Sequence, residues 1–181
     1  YAGFMSGPVS VQSVNFVNNS APIGGAFGTL DELSLDIVDS TFDSNTSTDE
    51  GGALNLQNSG ETTITSSSFT NNSALGSGGA VYVPTLDHVL TISSSTFDSN
   101  RSDNGAGGGF GGGLGIDSLE VDGVLTVDSS TFMGNSVNQG TLPVGGGVSI
   151  GVASLLDGGV ARVINSTFFE EQTGGPGAIF V

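Results

Sequence analysis

The sequence has no cysteine and no lysine, and it contains few residues that could bind a polyanion. Its 181 residues include 18 Asp or Glu but only two basic residues, Arg101 and Arg162, so the formal net charge is −16. Because a phosphate backbone is bound by clustered Lys and Arg, this balance argues against nucleic acid as a partner. The absence of Cys excludes disulfide bonds.

Long apolar runs are also missing. No stretch of 18 apolar residues occurs, and the first residues do not combine a basic region with an apolar one. We therefore expect no transmembrane segment in this chain. The hydrophobic share is only 36%, whereas Gly reaches 31 residues. Such a composition is typical of a disordered chain or of a repeat protein whose glycines recur at a fixed period.

A short phrase that ends in Phe returns six times along the chain. The Phe residues are separated by 26 to 36 residues, which is the range of solenoid repeats. They are Phe16, Phe42, Phe69, Phe97, Phe132 and Phe168.

Two further residue types keep a fixed spacing from these Phe residues, and a glycine corner follows in each unit. Ser stands two residues before Phe in five units, as Ser40, Ser67, Ser95, Ser130 and Ser166. Asn stands three residues after Phe in five units, as Asn19, Asn45, Asn72, Asn100 and Asn135, and Glu171 takes this place in the sixth. A glycine corner follows at Gly24, Gly51, Gly78, Gly111, Gly145 and Gly175.

Between these columns the apolar residues alternate with a period of two, as in Leu54/Leu56 and Val81/Val83. This alternation predicts half-buried strands, and no helical period is present. Each unit contains three such strands, which become stable only by pairing with the next unit. The sequence therefore predicts one all-β domain over residues 1–181, a right-handed parallel β-helix of about six turns with three short strands per turn.

The Asn column has a structural interpretation in such a coil. Asn tolerates a left-handed backbone at a turn, and identical Asn side chains in successive turns can form a buried amide ladder. We expect this ladder at Asn19, Asn45, Asn72, Asn100 and Asn135.

Later units are longer than earlier ones. The extra residues fall at 103–111, 117–123, 139–144 and 151–159, between the predicted strands. Insertions in a solenoid map to surface loops, so these segments are expected to mark a binding face.

The Phe-x-x-Asn and Gly-Gly-Ala phrases, the latter followed by a branched apolar residue, resemble the repeat of the polymorphic outer-membrane proteins. Gly113, Gly147 and Glu171 depart from the pattern. The resemblance implies an exported, surface-exposed β-helix with an adhesive or structural role. We expect a section of a longer surface or filament protein whose partners are glycans, other surface proteins or further copies stacked end to end.

Two other functions fit the same fold. A carbohydrate-active lyase would need Arg101, Arg162 or His88, which lie at different phases of the repeat, and a hydrolase would need gathered acids such as Asp36, Asp39 and Asp43 or Asp122 and Asp128. No catalytic residue is therefore predicted. An ice-binding protein would need two regular Thr ranks, whereas one outward column reads Asp36, Thr63, Thr91, Thr126 and Arg162.

Calcium is the only cofactor for which the sequence contains a pattern. The stretch 112–120 matches one copy of a calcium-binding nonapeptide, a motif that works in tandem. Asp117, Glu120 and Asp122 are the candidate ligands.

Five Asn-x-Ser/Thr sequons occur, at Asn18, Asn45, Asn71, Asn100 and Asn165. Glycosylation requires an exposed Asn on a secreted chain. Since Asn45 and Asn100 are also ladder residues that point inward, Asn18 and Asn71 are the better acceptors.

Overall fold

The protein is described here by a computed structural model that covers residues 8–29, 34–57, 60–103, 110–138, 145–151, 159–173 and 177–181. These residues form short β-strands that follow one another around a coil. None of the described residues forms a helix long and apolar enough to cross a membrane.

The strands form six turns of the coil, with four strands in each turn. The first turn contains β1 (Val9–Gln12), β2 (Asn15–Val17), β3 (Ser20–Ala21) and β4 (Phe27–Thr29), and the second contains β5 (Leu35–Val38), β6 (Thr41–Asp43), β7 (Thr46–Ser47) and β8 (Leu54–Leu56). The third contains β9 (Thr62–Thr65), β10 (Ser68–Thr70), β11 (Ser73–Ala74) and β12 (Val81–Leu86), and the fourth contains β13 (Val89–Ser93), β14 (Thr96–Asp98), β15 (Arg101–Asp103) and β16 (Leu114–Leu119). The fifth contains β17 (Val124–Asp128), β18 (Thr131–Met133), β19 (Ser136–Asn138) and β20 (Val148–Ile150), and the sixth contains β21 (Val160–Ile164), β22 (Thr167–Phe169), β23 (Gln172–Thr173) and β24 (Ile179–Phe180).

The first, second, third and fourth strands of each turn belong to sheets A, B, C and D respectively. In every sheet each strand pairs in parallel with its equivalents in the turns before and after. Phe69, for example, lies opposite Phe42 on one side and Phe97 on the other. This arrangement confirms the predicted all-β parallel β-helix of about six turns.

The prediction of three strands per turn was one too few. The residues directly after the Asn column form the extra strands of sheet C, such as Thr46–Ser47 and Ser73–Ala74. A strand of two residues has no room for an apolar alternation, so the sequence pattern could not indicate it.

The interior of the coil is filled by apolar columns from sheets A, B and D. The Phe column of sheet B forms one continuous stack with ring centroids 4.5 to 4.9 Å apart and interplanar angles of at most 9°. This spacing equals the distance between neighbouring strands, so the backbone repeat sets the ring geometry. Burial of each inner Phe contributes about 1.5–3 kcal/mol relative to exposure.

Besides the glycine corner, two corners of every turn use a residue with a positive φ. One is the residue before the Ser column, such as Ser66 with φ of 50°, and the other is the residue before the Asn column, such as Asn71 with φ of 55°. The expectation of a left-handed backbone at the ladder Asn itself was therefore wrong, because the preceding residue makes the bend and the ladder residue projects inward.

The glycine corner brings successive coils into backbone contact. A Cβ atom on Gly52 would lie 2.0 Å from the carbonyl oxygen of Gly79 in the next turn. No larger residue fits at this corner without separating the coils.

The long connections all adjoin sheet D. In the fourth and fifth turns, residues 104–113 and 139–147 precede the sheet D strand, and residues 120–123 and 151–159 follow it. Two boundaries differ from the sequence prediction, because Asp103 belongs to β15 and residues 117–119 belong to β16 rather than to a loop. The connections that vary in length thus directly precede or follow a sheet D strand in the sequence, and their residues 104–109, 139–144 and 152–158 lie outside the described part of the chain.

Candidate functional site

The Asn column forms a hydrogen-bonded amide ladder inside the coil. Each Nδ2 donates to the Oδ1 of the next Asn at 2.9 Å along Asn19, Asn45, Asn72, Asn100 and Asn135. From Asn45 onward each Nδ2 also donates to the carbonyl oxygen of the Phe one turn earlier, at 2.9 to 3.0 Å. The amides from Asn45 to Asn135 are fully buried, so the ladder is a structural element with no group left for a ligand.

The Ser column forms a second ladder that sequence reasoning did not identify. The backbone N–H of Ser67 donates to the Oγ of Ser95 at 3.1 Å, and the Ser67 hydroxyl donates to the carbonyl oxygen of Thr65 at 2.9 Å. The same pair of bonds recurs at Ser40 and Ser130. The sequence feature that could have indicated this ladder is the fixed position of Ser two residues before Phe.

Glu171 ends the amide ladder in the sixth turn. Its Oε1 accepts from Nδ2 of Asn135 at 3.1 Å, whereas its Oε2 is buried without a hydrogen-bond partner. Burial raises the pKa of the Glu171 carboxyl from 4.5 to about 7, against the lowering effect of the bonds from Asn135. Glu171 is therefore a proton-binding group within the structural column.

The outer face of sheet D differs from the other outer faces because it is buried. In β8, β12, β16 and β20 the outward residues are Asn55, Tyr82, Gly115 and Ser149, which lie side by side in register. Asn55 is 2% exposed, Tyr82 3% and Ser149 0%. Polar side chains buried on the outside of a coil need partners, so this face is the candidate site.

Two carboxylates surround the hydroxyl of Tyr82. Its Oη lies 2.5 Å from Oδ2 of Asp117, and the Glu50 carboxylate interacts with the same hydroxyl. Burial raises the pKa of Asp117, partly offset by the Tyr82 hydrogen bond, and burial followed by repulsion from Asp49 raises the pKa of Glu50. The pKa of Tyr82 is also raised, first by burial, so this hydroxyl stays protonated.

Within the described part of the chain, three buried oxygen atoms on this face have no hydrogen-bond partner. They are Oδ1 of Asn55, Oδ1 of Asp117 and Oγ of Ser149. Ser149 lies opposite Gly115, two residues before Asp117 on β16, so Ser149 and Asp117 are diagonal neighbours about 7–8 Å apart at Cα. The face thus presents unpaired oxygen atoms from an amide, a carboxylate and a hydroxyl.

The calcium candidates from the sequence do not converge. Asp117 lies on the outer face of sheet D, Glu120 accepts from the Ser118 hydroxyl at 2.6 Å, and Asp122 is exposed in the turn that follows. Among the described residues, no three His, Asp or Glu side chains are grouped closely enough to hold a metal ion. Tyr82 and Glu50, which do surround Asp117, were missed because they belong to earlier turns.

The sequons fall into two groups. Asn45 and Asn100 are 0% exposed and have their amides in the ladder, so a folded chain cannot be glycosylated there. Asn18, Asn71 and Asn165 are exposed at corners with φ of 50° to 55°.

The residues that could serve a lyase are dispersed. Arg101 Nη2 lies 2.6 Å from Asp103 on sheet C, His88 Nδ1 lies 2.5 Å from Asp87, and Arg162 lies on sheet A in the sixth turn. The hydrolase acids are also separate: Asp36 accepts from the Thr63 hydroxyl on sheet A, and Asp43 lies on sheet B. The described structure therefore does not bring Arg101, Arg162 and His88 together, and it places Asp36 and Asp43 on different sheets.

The Thr residues do not form a double rank. Sheet B has one outward hydroxyl column, Thr41, Ser68, Thr96, Thr131 and Thr167, but its second outward column reads Asp43, Thr70, Asp98, Met133 and Phe169. Charged and apolar side chains interrupt the regularity that ice binding requires.

Comparison with known proteins places two stretches of this coil in a described repeat. Residues 39–57 and 66–84 match the Chlamydia polymorphic membrane protein repeat, and each stretch runs from the corner before the Ser column into a sheet D strand. Searches of curated proteins and of solved structures found no match. The match covers parts of the second and third turns, which are similar to this repeat, and it points to a surface protein.

Proposed function

We propose that this chain is the β-helical part of an extracellular or cell-surface protein with an adhesive role, and that it binds its partner on the sheet D side. The observation that carries the proposal is the distribution of repeating and non-repeating residues. The interior is occupied by Phe, Asn and Ser columns that only build the rod. The buried polar residues lie along sheet D, and the long connections directly precede and follow sheet D strands in the sequence.

The charge of the chain favours particular partners. A net charge of −16 repels polyanions and anionic lipid surfaces, and it attracts proteins with a basic patch. Neutral glycans and basic surface proteins are therefore the partner classes that we expect. Surface loops on a rigid scaffold are the usual location of such binding sites.

A loop-shortening experiment tests this proposal. In the test variant, the connections beside sheet D in the fourth and fifth turns are shortened to the lengths found in the second and third turns. A matched control carries Asp43→Asn and Asp98→Asn on the outer face of sheet B. Both proteins are immobilised and tested for binding to cultured cells and to a glycan array.

We expect the shortened variant to lose binding while its circular dichroism spectrum keeps the strand signal, and the control to bind like the original chain. Equal binding by all three proteins would reject the sheet D side as the adhesive surface. Cleavage of a polysaccharide by the original chain would instead favour the carbohydrate-active enzyme. Fibrils of the purified chain in electron micrographs would favour end-to-end self-association as its role.

A further inference from the structure

The amide ladder ends on a residue that is not an amide. In the earlier turns the Oδ1 of a ladder Asn, such as Asn72, accepts from the backbone N–H and the Nδ2 of the Asn one turn before. Its Nδ2 donates to the carbonyl oxygen of a Phe, here Phe42. Glu171 holds this position in the sixth turn. A carboxylate can repeat the accepting half of the pattern, but only a protonated carboxyl can repeat the donating half.

The two carboxyl oxygens of Glu171 have different surroundings. Oε1 takes the place of an Oδ1, because it accepts from Nδ2 of Asn135 at 3.1 Å and from the backbone N–H of the same residue. Oε2 is left in the place of an Nδ2, and within the described part of the chain it is buried with no hydrogen-bond partner.

The repeat identifies the acceptor that belongs to this place. The Nδ2 of Asn135 donates to the carbonyl oxygen of Phe97 at 2.9 Å, so the equivalent acceptor for position 171 is the carbonyl oxygen of Phe132. Two oxygen acceptors placed together away from water repel each other, whereas a proton between them makes a hydrogen bond. An ionised Glu171 therefore leaves the ladder incomplete.

The surroundings of Glu171 favour the neutral acid over the carboxylate. Burial raises the pKa of Glu171 to about 7, the bonds from Asn135 lower it, and the negative charge of Asp98 raises it. The Asn135 amide and the glycine corner at Gly146 pack against the side chain, and neither of them titrates. Glu170, the neighbouring acid in the chain, is exposed at the corner.

We propose that Glu171 is a proton switch for the sixth turn: the protonated carboxyl donates from Oε2 to the carbonyl oxygen of Phe132 and completes the ladder, whereas the ionised carboxyl loses this bond and holds the turn less tightly. The folded chain binds this proton more tightly than the unfolded chain does. The stabilisation is therefore complete below pH 4.5 and is lost as the pH rises through 7. This inference concerns the end of the ladder and does not depend on adhesion at the sheet D side.

Carbon-13 NMR of the chain labelled at its glutamate carboxyl groups measures the protonation directly. We expect one resonance to titrate close to pH 7 and to be missing from Glu171→Gln. Glu170→Gln is the matched control, because Glu170 is the adjacent acid and is exposed, and it should keep this resonance. The proposal is overturned if the resonance that Glu171→Gln removes titrates at about 4.3, the ordinary value for Glu.

Hydrogen–deuterium exchange with mass spectrometry measures how tightly the sixth turn is held. After correction for intrinsic exchange, protection of β22 and β23 should fall about tenfold or more between about pH 5 and about pH 8.5, whereas β14 and β15 of the fourth turn should keep their protection. Glu171→Gln and Glu171→Asn supply an N–H in place of the proton, so the sixth turn should stay protected at both pH values. Glu170→Gln should behave like the original chain.

Three results of the exchange experiment contradict the switch. The first is equal protection of the sixth turn at both pH values in the original chain. The second is an unchanged pH dependence in Glu171→Gln. The third is a loss of protection at every pH in both amide variants, because Glu171→Asn restores the residue that the earlier turns carry at this position.

Discussion

Truncation of one ladder residue, Asn72→Ala, measures how much the amide ladder stabilises the coil. The Asn72 side chain is 0% exposed and makes four hydrogen bonds, each at 2.9 Å. Its Nδ2 donates to the carbonyl oxygen of Phe42 and to Oδ1 of Asn100, and its Oδ1 accepts from the backbone N–H and Nδ2 of Asn45. The substitution removes all four bonds at once.

The expected loss follows from these bonds. Each buried hydrogen bond contributes about 0.5–1.5 kcal/mol net, so four bonds correspond to about 2–6 kcal/mol. Two partners keep another bond, because Asn100 Oδ1 still accepts from the backbone N–H at position 72 and Asn45 Nδ2 still donates to Phe16. The backbone N–H of Asn45 loses its acceptor inside the coil. The total is a large share of the 5–15 kcal/mol that stabilises a typical domain.

Equilibrium urea unfolding followed by circular dichroism measures the free-energy change. Asn71→Gly is a matched control, because Asn71 is the adjacent residue, is exposed and has φ of 55°. Its side chain donates to Asp43 at 3.4 Å, and its backbone N–H, which Gly retains, donates to the carbonyl oxygen of Asp98. Gly adopts this φ freely, so the control should change stability by less than about 1 kcal/mol. A loss below about 1 kcal/mol for Asn72→Ala, or equal losses for both variants, would refute the stabilising role of the ladder.

Phe69→Ala should destabilise the coil by about 3–5 kcal/mol in the same urea assay, because it opens a cavity in the ring stack, and a loss under about 1 kcal/mol would contradict this. Gly52→Ala should prevent native folding, as judged by circular dichroism, because the new Cβ would lie 2.0 Å from the carbonyl oxygen of Gly79. The control Gly177→Ala should fold normally, because a Cβ at that position would contact no described atom within 4 Å. The raised pKa of Glu171, about 7 against 4.5, means that its contribution to stability is complete below pH 4.5 and is lost as pH rises through 7. Glu171→Gln should make the urea midpoint less dependent on pH between 4.5 and 7. If the variant keeps the pH dependence of the original chain, the raised pKa does not belong to Glu171.

The fold could be predicted because a solenoid repeats its contacts. Phe42 and Phe69 stack for the same reason in each turn, so a period in the sequence becomes a column in space. Features that depend on backbone conformation were harder to predict. The strand at Ser73–Ala74 is too short for a pattern, and the positive φ falls on Asn71 rather than on Asn72.

The candidate site could be predicted only in part. Asp117 was selected from a local motif, but its neighbours on the outer face come from other turns, with Tyr82 35 residues earlier in the chain. A local motif cannot show which outward residues become adjacent when the coil closes. The available signal was Tyr82 itself, a large aromatic residue at an outward position between Val81 and Val83.

The same periodicity that explains the fold also limits where a specific site can lie. In a column that repeats the same residue, each turn has the same surroundings. A ligand that contacted such a column could not distinguish one turn of the rod from another. A distinct site needs residues that break the repeat on an outer face. Along sheet D the outward residues Asn55, Tyr82, Gly115 and Ser149 differ from turn to turn, and the long connections adjoin the same sheet. We therefore expect any recognition by this chain to depend on the departures from its repeat, whereas the repeat itself provides the rigid support.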